Sequence, residues 1–170
     1  MQISHKNGFT LIELLVVIVL LGIVTSLAVL SMGASGAERK MEEEAKRLHA
    51  LIKLVREEAI IQAKEIAMEI NKQEYLFLEY KEKKWIPLNN KIFQARTINE
   101  ELDFRVETET ELKLVETKKE NLLRLYFLSS GEQTPFEIRL NTKDNPQNYY
   151  RLLGLFNGEL KLEHINTYEN

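Results

Sequence analysis

The chain has no cysteine. That excludes disulfides, thiolate metal sites and a cysteine nucleophile, and leaves the compartment open. Gly-rich phosphate loops are absent, as is any Gly-x-Ser-x-Gly nucleophile elbow. The three histidines, His5, His49 and His164, stand isolated, and none has a second ligand at metal spacing. Asp144-Asn145 lacks the ligand spacing and glycine of a calcium loop. No catalytic constellation is assembled, so the chain is read as a non-enzyme that needs no cofactor and no metal. A basic excess is missing too. Net charge is −3, and from residue 91 onward 11 basic residues face 14 acidic ones, which gives no footing for nucleic acid.

What the chain does have is an apolar run. Residues 9–32, FTLIELLVVIVLLGIVTSLAVLSM, contain one charge, Glu13. As a helix this run would be about 36 Å long, against a hydrocarbon core of roughly 30 Å. A transmembrane helix over residues 9–33 is expected, and single-pass insertion follows. The competing reading is an ordinary secretory signal cut near Ser35-Gly36-Ala37. Its apolar region would be longer than such signals use, and a carboxylate would sit inside it. Lysine and arginine counts do not set orientation. Lys6 precedes the run and Arg39, Lys40, Lys46 and Arg47 follow it, yet a long folded domain can be translocated despite its charges.

Glu13 is the anomaly. An ionised carboxylate in a bilayer costs about 2.5–3.5 kcal/mol on insertion scales, and no Lys, Arg or His lies within residues 9–37 to offset it. Either the side chain snorkels to the headgroups, or a cation comes from elsewhere. Cleavage just before Phe9 would create one as a new backbone amine.

Lys6-Asn7-Gly8-Phe9-Thr10-Leu11-Ile12-Glu13, followed by the apolar run, resembles the type III signal of type IV pilins and pseudopilins. The resemblance implies a leader over residues 1–8, with prepilin peptidase cutting after Gly8 and the Phe9 amine becoming methylated. Glu13 then falls where the family carries its assembly glutamate. Its partner would be the N-terminal amine of a neighbouring subunit, a pairing that sets register because mismatched neighbours leave a buried charge unpaired. Many pilin helices carry a proline where this chain has Leu30, so the kink expected there is in doubt. Gly22 and Gly33-Ala34-Ser35-Gly36 remain as weak points.

Over residues 34–64 the pattern turns amphipathic. Met41, Ala45, Leu48, Ile52, Val55 and Ala59 fall on one helical face, opposite Glu42, Glu43, Lys46, Lys53, Glu57 and Glu58. This stripe suits packing on a sheet; a coiled coil is the alternative, at about three heptads. His49 lies beside the stripe and reads as a surface residue.

Residues 65–170 alternate with a β period. Strands are expected at 65–70, 75–80, 85–88, 102–106, 112–115, 122–128, 136–140, 149–156 and 159–165. Asn157-Gly158 is the strongest hairpin signal. The fold class is α+β, a long N-terminal helix packed on an antiparallel sheet read as a meander.

Leu125-Tyr126-Phe127-Leu128-Ser129-Ser130-Gly131-Glu132-Gln133-Thr134-Pro135-Phe136 resembles the strand–turn–strand of H-type pseudopilins, and Asn157-Gly158-Glu159-Leu160 resembles their C-terminal hairpin. With the N-terminal signal, these imply a minor pseudopilin of type II secretion, anchored in the inner membrane with residues 65–170 in the periplasm. The implied partners are the major and tip pseudopilins, prepilin peptidase and the inner-membrane assembly platform. The alternative is a type IV pilus minor pilin of a DNA-uptake system. The acidic tail Glu163 to Asn170 lacks the basic strip that role requires.

Overall fold

The structure is a computed structural model. It describes residues 11–108 and 122–167, except for the side chains of 26–35. The expected strand at 112–115, Gly8 and Phe9 lie outside the described residues. Two compact units divide the chain, Met1–Gly36 and Ala37–Asn170.

Helix α1 runs from Leu11 to Ile61. In the first unit, the described apolar side chains from Leu11 to Val24 point outward and are between 45% and 90% exposed. Thr25 donates its hydroxyl to Leu21 O at 2.7 Å, which satisfies the group within the helix itself. No helix is long and apolar enough to cross a membrane among the described residues, which omit residues 9 and 10 and the side chains of 26–35 from the expected span.

In the second unit the expected stripe is the buried one. Met41, Ala45, Leu48, Ile52, Val55 and Ala59 are each at most 3% exposed. The helix ends at Ile61, short of the expected residue 64. Lys64 N donates to Ala59 O (2.9 Å) and Ala63 N to Ile60 O (3.3 Å), with Ala63 at φ 50°. That pair of bonds is the Schellman stop, with alanine where glycine is usual.

Among the described residues nine strands follow: β1 (Ile66–Asn71), β2 (Glu74–Lys81), β3 (Lys84–Pro87), β4 (Arg96–Thr97), β5 (Leu102–Glu107), β6 (Leu123–Phe127), β7 (Phe136–Thr142), β8 (Asn145–Gly154) and β9 (Leu160–Asn166). They form two antiparallel sheets rather than one meander. The first has the order β3-β2-β1-β6, with β4 also on β2; the second has β5-β7-β8-β9. Strand β6 pairs with β1 across a long separation, Met68 opposite Leu125. A single hydrophobic cluster joins the α1 stripe to both sheets.

Side-chain alternation explains the two covered faces of the first sheet. Met68, Phe77 and Leu125 share the face toward the core, while Ala67, Leu78 and Tyr126 oppose one another on the other. Those three are also buried, and Trp85 lies against Tyr126 (5.5 Å between ring centroids) and Tyr80 (5.1 Å) on that side. In the second sheet the outward face carries charge. Arg105, Arg139 and Arg151 are adjacent in register, and each is held by a carboxylate: Asp103, Glu137 and Glu163.

Candidate functional site

Of the residues singled out by sequence, Glu13 is described, and it sits in the first turn of α1 among exposed apolar neighbours. Thr10 and the residues before it lie outside the description, so the Gly8–Phe9 junction has no geometry to report.

The two turns that carried the family resemblance are brought together on the end of α1. Leu128-Ser129-Ser130-Gly131-Glu132 closes with Leu128 N donating to Glu132 O and Gly131 N to Leu128 O, each at 2.9 Å. It does not join two paired strands; the chain crosses there from the first sheet to the second. The β8–β9 turn closes with Gly158 N donating to Leu155 O at 2.9 Å. Gln133 N donates to Phe156 O (3.0 Å), linking the turns, and an Arg56 guanidinium N–H from α1 donates to Gly158 O. Ser129 Oγ donates to Glu65 Oε1 at 2.7 Å and ties the first turn to the start of β1.

Charge on the helix is paired with the sheets. Lys40 Nζ meets Glu101 Oε2 at 2.9 Å, and Asn148 Nδ2 donates to Glu38 Oε1 at 3.1 Å. Asn148 Oδ1 also lies 2.6 Å from His164 Nε2, and His164 stacks on Tyr150 with centroids 4.5 Å apart. Lys46 holds Glu42 below the ordinary carboxylate range, through their hydrogen bond first and then their charges.

Deeper in, Glu44 is buried and bonds Arg47, while the fully buried Tyr75 faces both. Burial pushes the Tyr75 phenol up, and the Glu44 charge adds to the shift. Sequence reasoning placed none of these pairs, because the packing that brings Tyr75 to Glu44 and Arg47 is a tertiary fact. Among the described residues no group of three or more His, Cys, Asp or Glu could hold a metal ion.

A helix whose first half presents apolar side chains outward and whose second half buries a stripe against antiparallel sheets is the plan of a pilin-like subunit. Two family models match this chain. The prokaryotic N-terminal methylation motif covers residues 3–29, and Type II transport protein GspH covers residues 44–158.

Type II secretion system protein H of Pseudomonas aeruginosa strain PAO1 is 34% identical over 142 residues, covering 79% of this chain and 83% of that protein. The protein of the same name from Aeromonas hydrophila is 24% identical, with 89% of each chain covered. The minor pseudopilin EpsH from the type 2 secretion system of Vibrio cholerae superposes with a TM-score of 0.60 at 27% identity. That match covers 74% of this chain and 97% of the other. The chain belongs to the GspH family of type II transport pseudopilins.

Proposed function

We propose that the chain works as a minor pseudopilin of type II protein secretion, made as a precursor that is cut between Gly8 and Phe9 and methylated on Phe9. On this reading it is held in the inner membrane by residues 9–33, with its β-rich domain in the periplasm. The observation that carries the proposal is the coexistence on one chain of the methylation motif at residues 3–29 and the GspH match at residues 44–158.

The physical chemistry supports the anchor. A run of outward-facing Leu, Ile and Val from Leu11 to Val24, interrupted only by Glu13 and Gly22, is far larger than the apolar patches soluble monomers tolerate, so it requires a lipid or protein cover. Within such a cover Glu13 needs a cation. The methylated amine of Phe9 in a neighbouring pseudopilin supplies one at a matching depth, which fixes the axial stagger of packed subunits. Other pseudopilins, the prepilin peptidase and the inner-membrane assembly platform are then the partners. The DNA-uptake alternative gains nothing from Arg105, Arg139 and Arg151, because each is already neutralised by a neighbouring carboxylate.

The test is Glu13→Gln in cells that depend on this subunit. Processing, read by mass spectrometry of the mature N-terminus, should be unchanged, while secretion and co-purification with other pseudopilins should fall sharply. Unchanged secretion would remove Glu13 from the assembly mechanism. A mature N-terminus other than Phe9 would overturn the cleavage assignment.

A further inference from the structure

Asparagine followed by glycine is a chemically fragile pair. The glycine nitrogen can attack the asparagine side-chain carbon, because the glycine has no side chain to block the approach. Two such pairs occur in the sequence, Asn7-Gly8 and Asn157-Gly158. On the proposed reading the first leaves with the leader. The second stays in the folded domain, in the turn between β8 and β9.

In that turn both reacting groups are held. Asn157 is exposed, and its Oδ1 accepts from Glu159 N at 3.0 Å, an Asx-turn that fixes the carboxamide. Gly158 N donates to Leu155 O at 2.9 Å, so the proton that must leave before attack is bound to an acceptor. Gly158 is itself buried, and its carbonyl accepts from the Arg56 guanidinium of α1. The space around it is filled. A carbon added at its Cβ position would come within 2.6 Å of Gly131 O and 2.8 Å of Arg56 Nε.

We propose that Asn157-Gly158 is a self-modification site, which the closed turn protects and which keeps the turn open once it has reacted. When the turn opens, Gly158 N loses its proton and bonds to Asn157 Cγ. The Cγ–Nδ2 bond breaks, and ammonia leaves with that proton. The five-membered imide then takes up one water. Opening at Cγ gives aspartate with the ordinary backbone, and opening at the backbone carbonyl of residue 157 gives isoaspartate, whose chain runs through the side chain. One amide and one water become one carboxylate and one ammonium, with no change of oxidation state. The isoaspartyl backbone is longer by one carbon, at a place where Gly131 O and Arg56 leave no room for it. That product cannot restore the bond from Arg56 to Gly158 O, so the turn stays detached from α1. Neither processing nor assembly enters this chemistry, so either reading can fail without the other.

The full chain in neutral detergent is incubated at mildly alkaline pH in water enriched in oxygen-18, beside a synthetic peptide spanning residues 152–161. Peptide mass spectrometry reads the label at residue 157, and fragmentation separates aspartate from isoaspartate. The peptide should react about twentyfold faster than the folded chain, since each of two hydrogen bonds favours the closed turn by about fivefold. Amide hydrogen exchange at Gly158 and Glu159 gives the open population of the wild type, which should match that ratio of rates. Arg56→Ala should raise the rate of the folded chain about fivefold, the population ratio of one net hydrogen bond. The isoaspartyl fraction should melt below Asn157→Asp, which adds the charge without the extra carbon. A folded chain that reacts as fast as the peptide would overturn the proposal. So would an isoaspartyl fraction that melts with Asn157→Asp, or an Arg56→Ala chain, folded by circular dichroism, that reacts at the wild-type rate.

Discussion

Gly158 and Gly131 provide a paired test of how the two turns and α1 are held together. Both residues have positive φ, 84° and 91°. An added methyl therefore costs each of them about 1–2 kcal/mol in backbone strain alone. Their surroundings differ. A Cβ on Gly131 would meet only Ile60 Cδ1 at 3.6 Å, an ordinary van der Waals distance. A Cβ on Gly158 would come within 2.6 Å of Gly131 O and 2.8 Å of Arg56 Nε. The carbonyl belongs to a closed turn and cannot retreat cheaply, and moving Arg56 would break its bond to Gly158 O. Adding about 1–2 kcal/mol for that overpacking puts Gly158→Ala near 3 kcal/mol and leaves Gly131→Ala near 1.5 kcal/mol. At roughly 3 °C per kcal/mol for a domain of this size, the expected losses in Tm are about 9 °C and about 4 °C. Thermal unfolding of the full chain in neutral detergent, followed by circular dichroism, gives both numbers. In an Arg56→Ala background one of the two contacts disappears, and the gap between the glycine variants should narrow. Equal losses for the two variants in the wild-type background would refute the close approach of the turns.

Two further outcomes follow from residues outside the turns. Ala63→Gly should stabilise the chain by about 0.5–1 kcal/mol in the same melt, since Ala63 holds a left-handed C-cap at φ 50° that glycine adopts without a Cβ penalty. Tyr75 should ionise above its ordinary value of 10.0, mainly because it is buried and secondarily because Glu44 is near. A phenol whose pKa is raised on folding contributes its full stabilisation below pH 10, and loses it as pH climbs through the folded value. Unfolding melts should therefore steepen in their pH dependence above about pH 10. Tyr75→Phe should flatten that dependence, because it removes the titrating phenol.

The sequence showed the helix stripe residue by residue, because burial on one face of a helix repeats every three or four positions and nothing else in the chain produces that pattern. Its end was less visible. The stop is made by backbone bonds around Ala63, with no glycine to announce it. The β2–β3 hairpin was hidden for the same reason: its two turn residues, Glu82 and Lys83, hold φ of 51° and 63° without the usual Asn-Gly pair. Strand β8 begins at Asn145, four residues before the alternation suggested, since Pro146 discourages a strand reading even where it stands at a strand's start. The split into two sheets was beyond local patterning altogether. It depends on β6 returning to β1 across more than fifty residues, and Arg124 bonding Glu69 at 2.7 Å is visible only once that register exists.

The segments that marked the family divide by what they do. Ser129-Ser130-Gly131-Glu132 and Asn157-Gly158-Glu159 look like binding loops in isolation, yet their groups are spent on one another and on α1 through Gln133 N, Phe156 O and Arg56. Their role is to carry the chain from one sheet to the other and to close the last hairpin over the helix end. A family defined by them is therefore defined by its fold. On the proposed reading, the chemistry of processing and assembly belongs to the other end of the chain, where Gly8, Phe9 and Glu13 fall within six consecutive positions at the edge of an apolar run. It follows that substitutions at the turns should lower the amount of folded subunit and leave the secretion supported per folded molecule unchanged, whereas Glu13→Gln should do the reverse. Quantifying folded subunit by protease resistance alongside secretion separates the two classes, and a turn variant that folds fully but fails to secrete would show that the turns contact a partner after all.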